Sequence, residues 1–199
     1  MAKKGVVAEL KDARANDAFA KEARALSALN TFPVFVHEVG GTQRVIGDST
    51  ALSRWLDATI AENPLWPRDA ANAEAAYEVA ALVDSILNTL IDAGTRYYAL
   101  SKSPEWESVR SARVGRVQSM FARLVEIAAH KKTLAGDQWS AADIWLTTMV
   151  LWMEGLPGRA ATYPPAAQLV SLGYQLPREL SEWADAHRHR EDILALDRP

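Results

Sequence analysis

The chain has 199 residues, 49% of them apolar, enough to bury one substantial core or two smaller ones side by side. Its 22 basic and 25 acidic side chains leave a formal charge of -3 with no run of five like charges, so no field is focused on a polyanion and nucleic acid is excluded as a primary ligand. Cysteine is absent, which removes disulfides, thiolate metal sites and cysteine nucleophiles together; no metal site is predicted, since one would need histidine and carboxylate alone.

Met1 to Leu10 has no apolar stretch that would serve as a secretory signal, so the expectation is a cytoplasmic chain, with an organellar assembly as the alternative. The longest apolar run, Ile144 to Met153, is far short of the roughly 20 residues that span a bilayer.

In chain order, Val6 to Leu10 is a short strand candidate. Asn16 or Asp17 then caps a helix in which Phe19, Ala23, Leu26 and Leu29 fall at helical spacing. "FPVFVHEV" follows as a buried strand with His37 a packed histidine, and Gly40-Gly41 is a hairpin signal because both central positions of a tight hairpin turn want positive φ. The chain returns as a strand over Gln43 to Ile46, after which Asp48 or Ser49 caps a helix to about Glu62 with Leu52, Trp55, Leu56 and Ile60 on one face. Pro64 and Pro67 interrupt helical continuation, and a domain junction is placed there: a β-α-β-β-α domain over 1–64 and an all-helical domain over 70–199.

The second domain opens with a long amphipathic helix carrying Ala76, Val79, Val83, Ile86, Leu90 and Gly94. The next starts at Ser103 with Pro104 in its first position, where the missing amide hydrogen has no cost, and ends near His130. Ser140, with Asp143 three residues on, forms a capping box before an apolar rod, Ile144 to Met153, around which the other helices pack. A Pro/Gly loop (Leu156 to Pro165) and two shorter helices, about 166–172 and 178–189, complete the bundle. Trp145 and Trp152 are assigned to the core, and Trp66 and Trp106, near helix starts, to half-buried or interfacial positions. Arg110, Arg113, Arg116 and Arg123 read as a solvated basic ridge with acidic neighbours. His187 and His189 point in different directions and with Arg188 and Arg190 form a solvated or partner-facing patch.

Three stretches, "FPVFV", "GDSTALSRWL" and "LAGDQWSAADIWL", together with the domain order, resemble the glutathione transferase superfamily. The resemblance implies an α+β, mostly α fold: a truncated thioredoxin-like domain followed by an all-α bundle. It also implies a cis bond before Pro33, a backbone contact from Phe32 to the cysteinyl part of glutathione, and a γ-glutamyl site at Asp48 and Ser49. A helix start offers free amides and partial positive charge to a carboxylate, and Asp48 pairs with an amine. Family members begin with a strand and helix carrying the Tyr, Ser or Cys that activates the thiol; "KKGVVAEL" matches the segment after these, so no residue takes that role by motif, and Ser49, Tyr77 and Tyr97 are only hydroxyls within the same fold. The family's second-substrate region corresponds to Tyr97, Tyr98 and Trp106, which are equally readable as packing residues.

Three readings follow. One is a non-catalytic subunit or interaction module of a larger assembly, with a protein partner or a second copy and a residual glutathione pocket. Another is an active transferase that conjugates glutathione to small electrophiles, its first strand and helix missing from this chain. A third is a binder that keeps part of the glutathione pocket without turnover. Glutathione is the one small ligand these readings imply, as ligand or co-substrate.

Overall fold

The structure, a computed structural model, describes residues 1–12, 16–29 and 32–194. The chain divides into two compact units, Met1–Trp66 and Pro67–Pro199.

The N-terminal unit runs from a 3-10 turn (Ala2–Lys4) through α1 (Asp17–Leu26), β1 (Phe35–Val39) and β2 (Thr42–Ile46) to α2 (Ser49–Thr59). The Asn16 side chain accepts from the Ala18 amide and the Asp48 side chain from the Ala51 amide, so both helices start where a short polar side chain answers an orphan donor. Gly40 and Gly41 have φ of 58° and 75°, which glycine adopts without a Cβ clash, and the strands pair antiparallel with Phe35 opposite Ile46 and Val39 opposite Thr42.

The expected strand at Val6 to Leu10 does not form. A strand exists through its ladder, and this segment has none: Val7 is 97% and Leu10 77% exposed. Among the described residues the sheet of this unit has two strands, β1 and β2. Nor is β1 buried. Phe35 and His37 turn toward α2, where Trp55 lies 5.5 and 4.4 Å from their ring centres, while the cross-strand pair Val36 and Val45 remains exposed on the other face. Leu29 lies beyond the end of α1 and is exposed, and α2 stops at Thr59 rather than near Glu62.

The core of this unit is small: Leu56, Leu65 and Trp66 are almost fully buried, with Ala20, Ser27 and Ser53 beside them. Trp66 is thus packed inside, not half-buried, because its indole N–H donates to Ser53 Oγ at 3.0 Å and the Arg54 guanidinium lies 4.0 Å from its ring centre. Lys4 is buried as well. Its ammonium reaches Asp57 Oδ1 at 2.7 Å and the Ile60 and Glu62 carbonyls, while Asp57 accepts from the Leu65 and Trp66 amides. One ion pair thereby ties the 3-10 turn to both the end of α2 and the segment after it.

The second unit is helical throughout its described residues: α3 (Ala70–Leu100), α4 (Trp106–Ala128), α5 (Ala141–Glu154), α6 (Leu156–Arg159), α7 (Pro164–Ser171), α8 (Arg178–Asp185) and α9 (Glu191–Leu194). Helix α3 packs on α4, α5 and α7, and α5 on α3, α6, α8 and α9. Val79, Val83, Ile86 and Leu90 keep the three-four spacing that places them on one buried face of α3, which packs on α4 and α5, whose own buried side chains include Phe121, Leu124, Leu146, Met149 and Val150. At roughly 1.5–3 kcal/mol for each large apolar side chain taken from water, this seam carries the fold.

Several boundaries differ from expectation. Helix α4 begins at Trp106 rather than Ser103, because Ser103 makes a tight turn in which its Oγ accepts from the Glu105 amide. The Leu156 to Pro165 loop contains the single turn α6 and the first residues of α7. α8 ends at Asp185, short of His189. Helix α5 is buried on most sides, but Trp145 and Trp152 lie on a half-exposed flank rather than in the core. The basic ridge of α4 is largely neutralised: Arg110 pairs with Glu107, Arg113 with Asp92, and Arg123 with Glu78 and Glu126. His187 is half-buried rather than solvated: its ring is stacked on Trp139 at 4.9 Å and tilted against Trp183 at 4.3 Å.

Candidate functional site

The register of the hairpin decides which residues meet. Because Phe35 faces Ile46, the segment entering β1 and the segment leaving β2 lie at the same end of the sheet, opposite the Gly40-Gly41 turn. Phe32 and Pro33 enter there, joined by a cis peptide bond, and Asp48 and Ser49 leave there at the N-terminus of α2. The four residues that the resemblance assigns to glutathione are thus gathered at one edge of the N-terminal unit.

The chemistry of that edge follows from the helix start. Asp48 is exposed; its Oδ1 accepts from the Ala51 amide at 2.7 Å, and its Oδ2 has no partner among the described residues. Ser49, half-buried, is the first residue of α2, and neither its amide nor its hydroxyl is engaged among the described residues. A carboxylate is favoured by the unpaired amide, the hydroxyl and the positive end of the helix dipole. An ammonium is favoured by the outer oxygen of Asp48. An α-amino acid head group carries both. Phe32 is 49% exposed, and the Arg24 guanidinium lies 5.9 Å from its ring centre.

Close packing holds this edge in place. A Cβ on Gly47, the residue before the cap, would fall 2.1 Å from Ser27 Oγ, so the end of α1 and the exit of β2 touch backbone to side chain. Ser27 and Gly47 escaped the sequence reading because their contact spans 20 positions; the lone glycine before Asp48 was the available signal.

Ser140 and Asp143 lie elsewhere, in the helical unit, and have a structural task. Asp143 is fully buried; one carboxyl oxygen accepts from the Leu134 amide at 2.7 Å, the other from the amide and hydroxyl of Ser140 at 2.7 and 2.8 Å. The box stitches the start of α5 to the loop before it. Tyr97 meets Trp106 edge to face at 5.5 Å and Tyr98 at 6.4 Å, an aromatic packing cluster joining the end of α3 to the start of α4; Tyr77 is a half-exposed residue two turns into α3. Among the described residues no group of three His, Asp or Glu side chains is placed to hold a metal ion, and no helix is long and apolar enough to cross a membrane.

No protein-family model matches the chain, and no curated protein matches it. Solved structures do. A glutathione S-transferase from Methylobacterium radiotolerans in complex with glutathione sulfonate superposes with a TM-score of 0.68 at 18% identity, over 98% of this chain and 84% of that one. A Pseudomonas putida glutathione transferase with one glutathione disulfide bound per subunit gives 0.69 at 17% identity, over 99% and 83%. One from Methylobacillus flagellatus with glutathione bound gives 0.64 at 18%, over 92% and 89%. The chain has the fold of the glutathione transferases.

Proposed function

We propose that the edge formed by Phe32, Pro33, Asp48 and Ser49 binds glutathione, and that the chain works as a glutathione-binding interaction module rather than as a transferase. The observation that carries this reading is the hairpin register, which sets the Phe32-Pro33 peptide and the open start of α2 at one end of the sheet. The γ-glutamyl carboxylate sits at the Ser49 amide and hydroxyl, its ammonium at Asp48 Oδ2, and the cysteinyl backbone beside Phe32. Three proteins of the same fold hold glutathione, its disulfide or its sulfonate, which supports the ligand class.

The chemistry of the thiol favours the non-catalytic reading. A thiol of pKa near 8.5 is mostly protonated at neutral pH, and a transferase needs a donor that holds the thiolate. Residues 1–66 contain no tyrosine and no cysteine, and Ser27 and Ser53 are buried in packing. In this arrangement Ser49, the serine at the start of α2, is occupied by the carboxylate.

Titration calorimetry with glutathione and with glutathione sulfonate tests the site. Asp48→Asn keeps a competent helix cap while removing the charge, and is expected to weaken binding by about tenfold, as loss of a charge-assisted contact does. Equal affinity for both proteins, or no binding by the unmodified chain, would remove the pocket. Conjugation of glutathione to an aromatic electrophile by this chain would instead overturn the non-catalytic assignment and favour the transferase.

A further inference from the structure

The cluster around His187 contains a donor–acceptor mismatch. Helix α8 ends with the His187 amide bonded to Ala184 O, which leaves the Trp183 carbonyl without its usual helical donor. The His187 ring turns back to fill that role, with Nδ1 2.7 Å from Trp183 O. Its other nitrogen, Nε2, lies 2.9 Å from Lys132 O in the loop after α4. Both neighbours are carbonyl oxygens, which only accept. A neutral imidazole has one N–H and one lone pair, so it satisfies one contact and sets a lone pair against an oxygen at the other. Only the imidazolium donates to both.

The surroundings suit a cation. The ring is stacked with Trp139 at 4.9 Å and tilted against Trp183 at 4.3 Å, and aromatic faces attract positive charge. It also stands at the C-terminal end of α8, where the helix dipole favours a positive group. Asp192, on α9, accepts from the Trp139 indole at 2.6 Å and pairs with Arg190, whose guanidinium lies 4.2 Å from the Trp139 ring centre. Arg188 is held by Glu154 of α5 and Asp185 of α8, while Lys131 and Lys132, the opposing charges of the loop, are exposed to solvent.

The geometry points to His187 as a proton-dependent clasp that closes α8 onto the loop 131–139. With the ring doubly protonated, it bridges Trp183 O and Lys132 O, and Trp183 adds a parallel stitch from its indole N–H to Lys131 O at 3.0 Å. When the ring loses a proton the Lys132 contact, the more exposed of the two, opens. That loop leads into the Leu134–Asp143–Ser140 bonds at the start of α5, so the clasp bears on how firmly the buried helix is capped. The bridge needs both ring N–H groups, so it is complete only while the ring carries two protons.

Ring-nitrogen NMR of the whole chain, with His187 assigned by comparison with His187→Gln, reads the proton count directly between about pH 5 and 8. Both nitrogens protonated at the acid end, stepping to one at the alkaline end, is the expected result. A single neutral tautomer already present at the acid end, in the folded chain, would overturn the proposal. Independently, exchange of the Trp183 indole hydrogen, corrected for its intrinsic pH dependence, should rise about tenfold across that range in the unmodified chain, the scale of losing one charged hydrogen bond. In His187→Gln it should already be fast and flat. The same pH-dependent rise in both proteins would assign the effect to another group and refute the clasp. Should the variant fail to fold, the ring nitrogens of His187 are assigned through their bonds to the backbone in the unmodified chain, whose spectrum then decides.

Discussion

Replacing Lys4 by methionine removes a cation while retaining most of its apolar stem, so it isolates the worth of the ammonium. In the folded unit the ammonium is fully buried, donates to Ile60 O and Glu62 O, and lies 2.7 Å from Asp57, whose side chain is 18% exposed. Breaking a buried pair by deleting one partner costs roughly 3–5 kcal/mol when the remaining charge is orphaned. Asp57 is not orphaned, because the Leu65 and Trp66 amides still donate to it at 2.8 Å, and the Glu62 carbonyl is close enough to solvent to find water. The expected loss is therefore at the lower end, about 3 kcal/mol, which corresponds to a roughly 100-fold faster exchange of the Leu65 and Trp66 amides if they exchange through opening of this unit. Native-state hydrogen exchange measures it, with the amides of α5 as an internal control. A change of less than about threefold would mean that desolvation of Lys4 cancels its bonds, and the 3-10 turn would then be held by something other than the ion pair.

The same pair sets an acid limit. Burial alone would raise the Asp57 carboxyl, but hydrogen bonds from the Leu65 amide, Lys4 and the Trp66 amide, with the charge of Lys4, outweigh it and hold the group below the usual carboxylate range. A depressed carboxyl stabilises the fold above its unfolded value near 4 and ceases to do so as pH falls through the lower folded value, so the N-terminal unit should loosen below about pH 4, and Asp57→Asn should flatten that part of a pH-stability curve. Gly47→Ala drives a methyl into Ser27 Oγ and is expected to destabilise the unit by about 1–3 kcal/mol in urea titration, with Ser27→Gly restoring part of the loss; an unchanged midpoint would show that the end of α1 yields freely. Asp143→Asn places an NH2 group against an N–H donor from either Leu134 or Ser140, and should lower the stability of the helical unit by about 2–3 kcal/mol by thermal melting; a change under about 0.5 kcal/mol would mean that the box does not hold the loop.

What was legible in the sequence depended on how far each signal had to reach. The hairpin, the α2 cap and the capping box before α5 are local: Gly40-Gly41 answers a backbone requirement within two residues, and Asp48 and Asp143 bond within three positions of themselves. The long stripe of α3 is nearly local, since periodicity needs no knowledge of the partner. Val6 to Leu10 failed for the opposite reason. Its composition fits a strand, but a strand is completed by a neighbour that composition does not specify.

The candidate site shows both regimes at once. Asp48 announces itself as a cap, while its placement beside Phe32 and Pro33 depends on a register set by the Gly40-Gly41 turn, so a one-residue slip in the hairpin would turn β1's Phe35 and His37 away from Trp55 and shift the Phe32 end against α2. His187 and Trp66 are stricter cases: their sequence neighbours suggest a solvated or partner-facing imidazole and a half-buried or interfacial indole, and each is claimed by a partner 13 to 55 positions away, Ser53 for the indole and Lys132 for the imidazole. A polar ring is read as exposed until its acceptors are known, and here those acceptors are orphan carbonyls and a buried hydroxyl, groups that any fold must satisfy but that no sequence window displays.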